Sequence, residues 1–317
     1  MTAHVAPISQ PGIYHDLPAD QYHADPIEGG SLSSTGARKL LPPGCPAKFR
    51  YWADHPQPPK REFDLGHAAH RTLLGVGEEI VVVDADTWKT KAAREARDEA
   101  YDAGQVPLLP HELTKVEEMI EAIWAHPVAA AVFSNGRPEV TLAWRNDIFG
   151  VWQRARLDWF PNGPITIPDP GTGKLRPYFV VPDYKTCVSA EPDALSKAMH
   201  SHGYHQQIDW YSGILAALGA TGDVPLLPLL VAQEKEPPYV VTVAQPDAAA
   251  MRVAATRNRK ALDVYSICMQ SGVWPGYDDD VVPLALPSYA EAQHEAAVEQ
   301  GLMDIDWQLP IPQGAAT

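Results

Sequence analysis

The sequence predicts a mixed α/β domain, a central sheet flanked by helices, with a helical lead-in. Three observations carry that prediction. Helical periodicity dominates the chain up to about residue 126. The texture changes at Pro138, where "PEVTLAWRND" and "GVWQRARLDWF" read as strands. Helical and strand-like runs then follow one another to about Met269.

Residues 1–20 read as an arm with turn chemistry. In "SLSSTGARKLL", Ser33 or Ser34 offers an N-cap for a short helix, since a side-chain oxygen there accepts from a free helix N–H. "PPGCPAKFRYWAD" breaks that helix and starts another, with Pro46 near its first turn. "FDLGHAAHRTLLG" predicts a helix ending at Gly75 or Gly77, and the charged, Ala-rich run over 86–101 predicts the next. "PHELTKVEEMIEAIWAHP" predicts an amphipathic helix with Leu113, Val116, Ile120 and Ile123 on one stripe. The two strands after Pro138 are separated by "IFG", which predicts an antiparallel hairpin. The Pro/Gly-rich "PNGPITIPDPGTGKLRP" reads as a connection into a third strand, "YFVVPDYKTC". Helices over 193–199 and 204–218, strands "PLLPLLVAQ" and "YVVTVAQ", and a long helix over 246–269 complete the order. The expected organisation is an arm at 1–20, one domain at 21–275 and an acidic extension at 276–317.

At 317 residues, 45% hydrophobic and 21% charged, the chain has ample material for a globular core. No apolar run has the length of a membrane span, and the N-terminus lacks the basic-then-apolar pattern of a secretory signal. Cys45, Cys187 and Cys268 are scattered, and make neither a disulfide framework nor a Cys-rich metal site. A cytoplasmic setting with no membrane partner is expected. The net charge of −15 opposes non-specific attraction to polyanions, although cations do cluster, as at Arg38, Lys39, Lys48 and Arg50.

The chemistry centres on "VVPDYKTCVS", residues 180–189. Side chains alternate along a strand, so Asp183 and Lys185 share one face. They are either a plain ion pair or part of a metal-dependent phosphodiesterase site. Asp158, late in the second hairpin strand, would converge on Asp183 if the two strands lay side by side. Carboxylate oxygens suit Mg²⁺, which takes one or two of them and leaves its other positions to water and phosphate. Lys185 could then orient the attacking water, and Glu139 is a further acid near the same layer. His200, His202 and His205 suggest zinc less well, because the first two would face different sides of a helix that Gly203 breaks. Cys187 lies close by with nothing to activate it, and reads as packing.

Asp158 followed by Asp183-Tyr184-Lys185 resembles the PD-(D/E)XK nuclease signature. "LSSTGARKLL…CPAKFRYW" is similar to the opening helices of the RecB-like and RecE-like branch, and "GHAAH" resembles that branch's histidine motif. "HQQIDWY" places Gln207 and Tyr211 as in its Q-x-x-x-Y motif. The elements stand in the family's order over about 22–269, and most resemble RecE-like (exonuclease VIII-type) phage and prophage exonucleases. The acid of the family's "PD" corresponds to Asp158, and Pro182-Asp183 is not that motif.

The resemblance implies a PD-(D/E)XK restriction-endonuclease-like core and a division of labour among these residues. Asp158 and Asp183 would bind Mg²⁺, or Mn²⁺ in its place, with the Tyr184 carbonyl as a further ligand. Lys185 would serve the attacking water, and Glu139 would support the metal shell. His67 would contact metal or phosphate, being preferred to His70 because it follows Gly66. Gln207 and Tyr211 would position the site and the DNA end. The implied activity is 5′→3′ digestion of linear double-stranded DNA, leaving a 3′ single strand for a RecT-like annealing protein. A ring-like homo-oligomer, trimer or tetramer, is implied too. Relatives that hold an iron–sulfur cluster need four cysteines, so that subgroup is excluded. Two alternatives stay open: a nuclease of the same fold with other work, such as a structure-specific one, and a catalytically silent DNA-binding or scaffold protein.

Overall fold

The computed structural model describes residues 7–55 and 61–303, with every side chain among them except that of Glu62. Two compact units divide the chain, Met1–Gly276 and Tyr277–Thr317. The first opens with β1 (Gly12–Tyr14), α1 (Ala19–His23) and the short β2 (Leu32–Ser33). Helices α2 (Ser34–Leu40), α3 (Pro46–Asp54) and α4 (Asp64–Leu74) follow. Next come β3 (Ile80–Val82), α5 (Lys91–Asp102), β4 (Val106–Leu108), α6 (Pro110–Ala125) and α7 (Pro127–Phe133). The strand-rich centre is β5 (Gly136–Asn146), β6 (Val151–Pro161), β7 (Ile165–Pro168) and β8 (Leu175–Cys187). Helices α8 (Pro192–His202) and α9 (Tyr204–Ala217), strands β9 (Leu226–Glu234) and β10 (Val241–Ala244), and α10 (Ala248–Ser271) close the unit. In the second unit, α11 (Ser288–Glu299) has no buried residue.

Local chemistry explains several boundaries. Ser33 caps α2, its Oγ accepting from Gly36 N at 3.2 Å. Pro110 stands in the first turn of α6, and Glu112 Oε2 accepts from Leu109 N at 2.9 Å. Helix α4 stops at Gly75, whose φ of 76° lets its N–H reach the Arg71 carbonyl.

Among the described residues, the strands form two four-stranded mixed sheets, ordered β1-β5-β6-β2 and β10-β9-β8-β7, and a two-stranded β3-β4 pair. The hairpin β5–β6 pairs antiparallel along its length, as the sequence predicts. Strand β8 runs parallel to β9, with Asp183 opposite Leu230 and Lys185 opposite Ala232. The sheets meet where Tyr184 N donates to Asp158 Oδ2 on β6 at 2.9 Å. Each face of β8 has its own core. Val180 and Tyr184 pack with Met119, Ile123, Phe133 and Val231. Phe179 and Val181 pack with Leu157, Trp210, Tyr211 and Ile214. A strand covered on both sides needs apolar residues at successive positions, which is why "YFVV" precedes the site.

The structure corrects several expectations. Residues 12–14 form an edge strand on β5 rather than part of a free arm, and Ile8 and Leu17 are buried with Ile27 and Ala143. The connection over 161–177 contains β7, which pairs antiparallel with the start of β8. The short elements β3, β4 and α7, and helix α11, carry too little periodicity to be read from sequence. Among the described residues, no helix is long and apolar enough to cross a membrane.

Candidate active site

Strand parity sets the first pair of groups. Asp183 and Lys185 project from the β8 face that carries Phe179 and Val181, toward α9. Asp183 is only 3% exposed. Gln207 Nε2, on α9, donates to Asp183 Oδ1 at 2.8 Å and to the Tyr211 hydroxyl oxygen at 2.9 Å. Lys185 Nζ lies 2.7 Å from Asp183 Oδ2 and 3.8 Å from Asp158 Oδ2. The second carboxylate therefore arrives from the other sheet, with the Tyr184 N–H fixing its orientation.

Electrostatics separates the two acids. Burial pushes Asp183 up to about 6, against the pull of the Lys185 ammonium and with repulsion from Asp158 adding to the rise. Burial acts on Asp158 in the same direction, yet Lys185, His70 and the Tyr184 N–H together hold it well below the usual carboxylate range. Lys185 is desolvated too, but the two carboxylates raise it above its ordinary value, so it remains an ammonium at neutral pH. Burial pushes the Cys187 thiol up to about 11, which leaves it protonated and suits packing.

A second group adjoins the first through Asp158. His70 Nε2, on α4, lies 3.5 Å from Asp158 Oδ1 and 3.5 Å from Glu139 Oε1. Among the described residues, His70, Glu139 and Asp158 are the one group of three or more His, Cys, Asp or Glu whose ligand atoms lie within 4.8 Å of each other. Cis ligands of an octahedral ion, each about 2.1 Å from it, stand about 3 Å apart, so small side-chain shifts would let these three share one cation. Two carboxylates and an imidazole suit a divalent metal. Glu139 has a φ of 55°, a left-handed conformation that costs a non-glycine residue about 1 to 3 kcal/mol, and such strain collects at functional sites.

The sequence-predicted residues separate cleanly. Asp158, Asp183, Lys185, Gln207 and Tyr211 form one continuous chain of contacts, and Glu139 joins it through His70. His67 stands apart from this chain of contacts. Its side chain is 58% exposed, its ring stacks on Phe63, and its Nδ1 lies 3.7 Å from Glu78. The reason lies in the packing of α4 on β8. A Cβ on Gly66 would come within 3.0 Å of Thr186 Oγ1, so the helix sits close at Gly66. His67 then faces Phe63 and Glu78, and His70, one turn on, meets Glu139 on β5 and Asp158 on β6. Asp183 stands outside the three-residue group, its carboxylate engaged by Lys185 and Gln207. Tyr184 donates from its hydroxyl to Gln233 Oε1 at 2.6 Å, which anchors the residue between the two acids.

Two arginines were missed. Arg154, Arg156 and Asp158 occupy alternate positions on one face of β6, and Arg156 Nε donates to Glu139 Oε2. The signal is "RARLD", an alternation of charged residues with the buried Ala155 and Leu157.

Residues 58–281 match the model of a family described as a PDDEXK-like domain of unknown function (DUF3799). In three dimensions the chain is similar to the crystal structure of a protein from Eubacterium rectale described as a "putative exonuclease". That likeness has a TM-score of 0.56 at 12% identity, and covers 87% of this chain and 98% of the other. At that identity it shows a shared fold alone. No curated protein matches the sequence.

Proposed function

Because the chain belongs to the family described as a PDDEXK-like domain of unknown function, we propose that it is a metal-dependent nuclease, and specifically a RecE-like exonuclease. The observation that carries this reading is the convergence of Asp158, Asp183 and Lys185 from two sheets, with Gln207 on the buried acid. A structural ion pair needs neither a second carboxylate nor a buried one. Under this reading the chain hydrolyses linear double-stranded DNA 5′→3′ and leaves a 3′ single strand for a RecT-like annealing protein. It works in the cytoplasm as a homo-oligomeric ring, trimer or tetramer.

The preferred ion is Mg²⁺, with Mn²⁺ able to replace it. Asp158, Glu139 and His70 would hold it, with Asp183 and the Tyr184 carbonyl completing the shell on the β8 side. A bound divalent cation would neutralise phosphate charge and acidify a coordinated water. Lys185 brings a fixed positive charge to the same spot, and so orients the attacking water against the scissile phosphate. Gln207 holds Asp183 in one rotamer, and Tyr211 in turn holds Gln207.

Linear duplex DNA labelled at one 5′ or one 3′ end, incubated with Mg²⁺ or with EDTA, tests the reading directly. Expected is Mg²⁺-dependent loss of linear DNA, early release of the 5′ label, survival of closed circles, and no digestion by Asp183→Ala or Lys185→Ala. Intact DNA in every lane, with both variants folded and binding DNA like the parent, would leave a silent binding protein as the better account.

A further inference from the structure

We propose that the N-terminal segment acts, through Arg156, as a brace that positions the Glu139 carboxylate and so sets the affinity of the centre for a divalent cation. The inference rests on the nuclease reading only in taking Glu139 as a metal ligand.

Glu139 faces two ways. Its Oε1 lies 3.5 Å from His70 Nε2, and its Oε2 accepts from Arg156 Nε. The other arm of the same guanidinium leaves the cluster. Arg156 Nη1 donates to the Leu17 carbonyl at 2.9 Å and to Thr141 Oγ1 at 3.2 Å. Leu17 is buried among Ile8, Ile27 and Ala143, so that carbonyl is a fixed point. Arg154, two residues before Arg156, repeats the pattern. Its Nη1 donates to the Ser31 carbonyl at 2.9 Å and to Ser31 Oγ at 2.7 Å, and lies 2.7 Å from Asp25 Oδ2. Tyr22, on α1, has its ring centre 5.5 Å from each guanidinium carbon. Residues 17–31 thus hold both arginines from outside the stretch that matches the family.

The backbone at Glu139 makes such a brace necessary. A glutamate at φ 55° is in a conformation its own chain does not favour, so tertiary contacts must keep it there. Arginine suits the task because its planar fork bonds a carboxylate and a carbonyl at once, which a lysine ammonium cannot do in the same geometry. Arg156 is therefore a positioning residue, acting on the cation through Glu139.

The test uses the full chain and Mn²⁺ without DNA, following free Mn²⁺ by electron paramagnetic resonance. Arg156→Gln is expected to weaken Mn²⁺ binding about 10-fold, the lower end for partners that orient metal ligands. If Arg156 acts through Glu139, the double variant Arg156→Gln/Glu139→Gln binds Mn²⁺ no more weakly than Glu139→Gln alone. Arg156→Lys recovers only part of the loss. Tyr22→Leu weakens binding in the same direction while leaving every carboxylate in place, and carries the test should Arg156→Gln fail to fold. Parent-like Mn²⁺ affinity in the folded variants, or an arginine cost that persists in full beside Glu139→Gln, overturns the brace. With Mg²⁺-dependent DNA digestion intact in the parent, that outcome leaves the nuclease reading standing. A parent chain that binds no Mn²⁺ overturns both.

Discussion

Gln207 holds the buried end of the site with a single amide. Its Nε2 serves both Asp183 Oδ1 and the Tyr211 hydroxyl, so Gln207→Ala leaves two buried oxygens short of a donor. Each unsatisfied group costs about 1 to 3 kcal/mol, and Asp183 keeps only its Lys185 contact to hold its rotamer. Metal-dependent activity is therefore expected to fall about 10- to 100-fold, as it does when partners of metal ligands are removed. A metal titration of DNA digestion by Gln207→Ala measures this, and unchanged half-saturation and rate would remove Gln207 from the site. His205, two residues earlier, supports a prediction of different kind. It is buried, with Nδ1 3.1 Å from the Met199 carbonyl, and burial lowers its pKa below the ordinary value. The folded chain then takes up this proton less readily than the unfolded one. Stability contributed by neutral His205 is present above pH 6.5 and is lost as pH falls through the lowered folded value. Denaturant unfolding at pH 7.5 and pH 5 should show part of the acid-side loss vanish in His205→Gln. An equal loss in parent and variant would exclude His205 as a cause.

At the scale of elements, α9 is the part that brings the β8 acid under control, and its own position is set by β6. Trp210 is 2% exposed and donates from Nε1 to the Arg154 carbonyl at 3.0 Å. Trp210→Phe keeps most of the buried ring but removes that hydrogen bond, so unfolding free energy should fall by about 0.5 to 1.5 kcal/mol. Metal-dependent activity should fall with it, because Gln207 and Tyr211 ride on the same helix; a stability loss with full activity would show that α9 tolerates the shift. The long elements α6, α9 and α10 and the β5–β6 hairpin were legible, since amphipathic spacing and strand alternation are local signals. So was the shared face of Asp183 and Lys185, which follows from strand parity alone. Sequence could not separate His67 from His70. Both lie on α4, and only its close seat at Gly66 decides which of them meets Asp158. Nor could it foresee Glu139 at positive φ, a conformation glutamate does not favour locally. Strand β7 hid inside a Pro/Gly-rich stretch because its four residues gain their pairing from β8.

For the whole molecule, the cluster has a thermodynamic consequence that needs no DNA. His70, Glu139 and Asp158 come from α4, β5 and β6, so an ion shared by them ties the helical lead-in to the first sheet. Unfolding scatters these donors, and an ion that binds only the folded chain adds stability by mass action. At a free concentration about 100 times the dissociation constant, the gain is about 2.7 kcal/mol. Mg²⁺ or Mn²⁺ should thus raise the thermal midpoint in a concentration-dependent way, and EDTA should reverse the rise. Asp158→Asn provides the control. The amide oxygen can still accept from Tyr184 N, which preserves the link between the sheets, while the carboxylate charge shared with Glu139 in holding the ion is gone. That variant should unfold at the same temperature with or without metal. A metal-dependent rise of equal size in parent and Asp158→Asn would place the ion elsewhere in the chain, and no rise in either would remove the cation from the account of this fold.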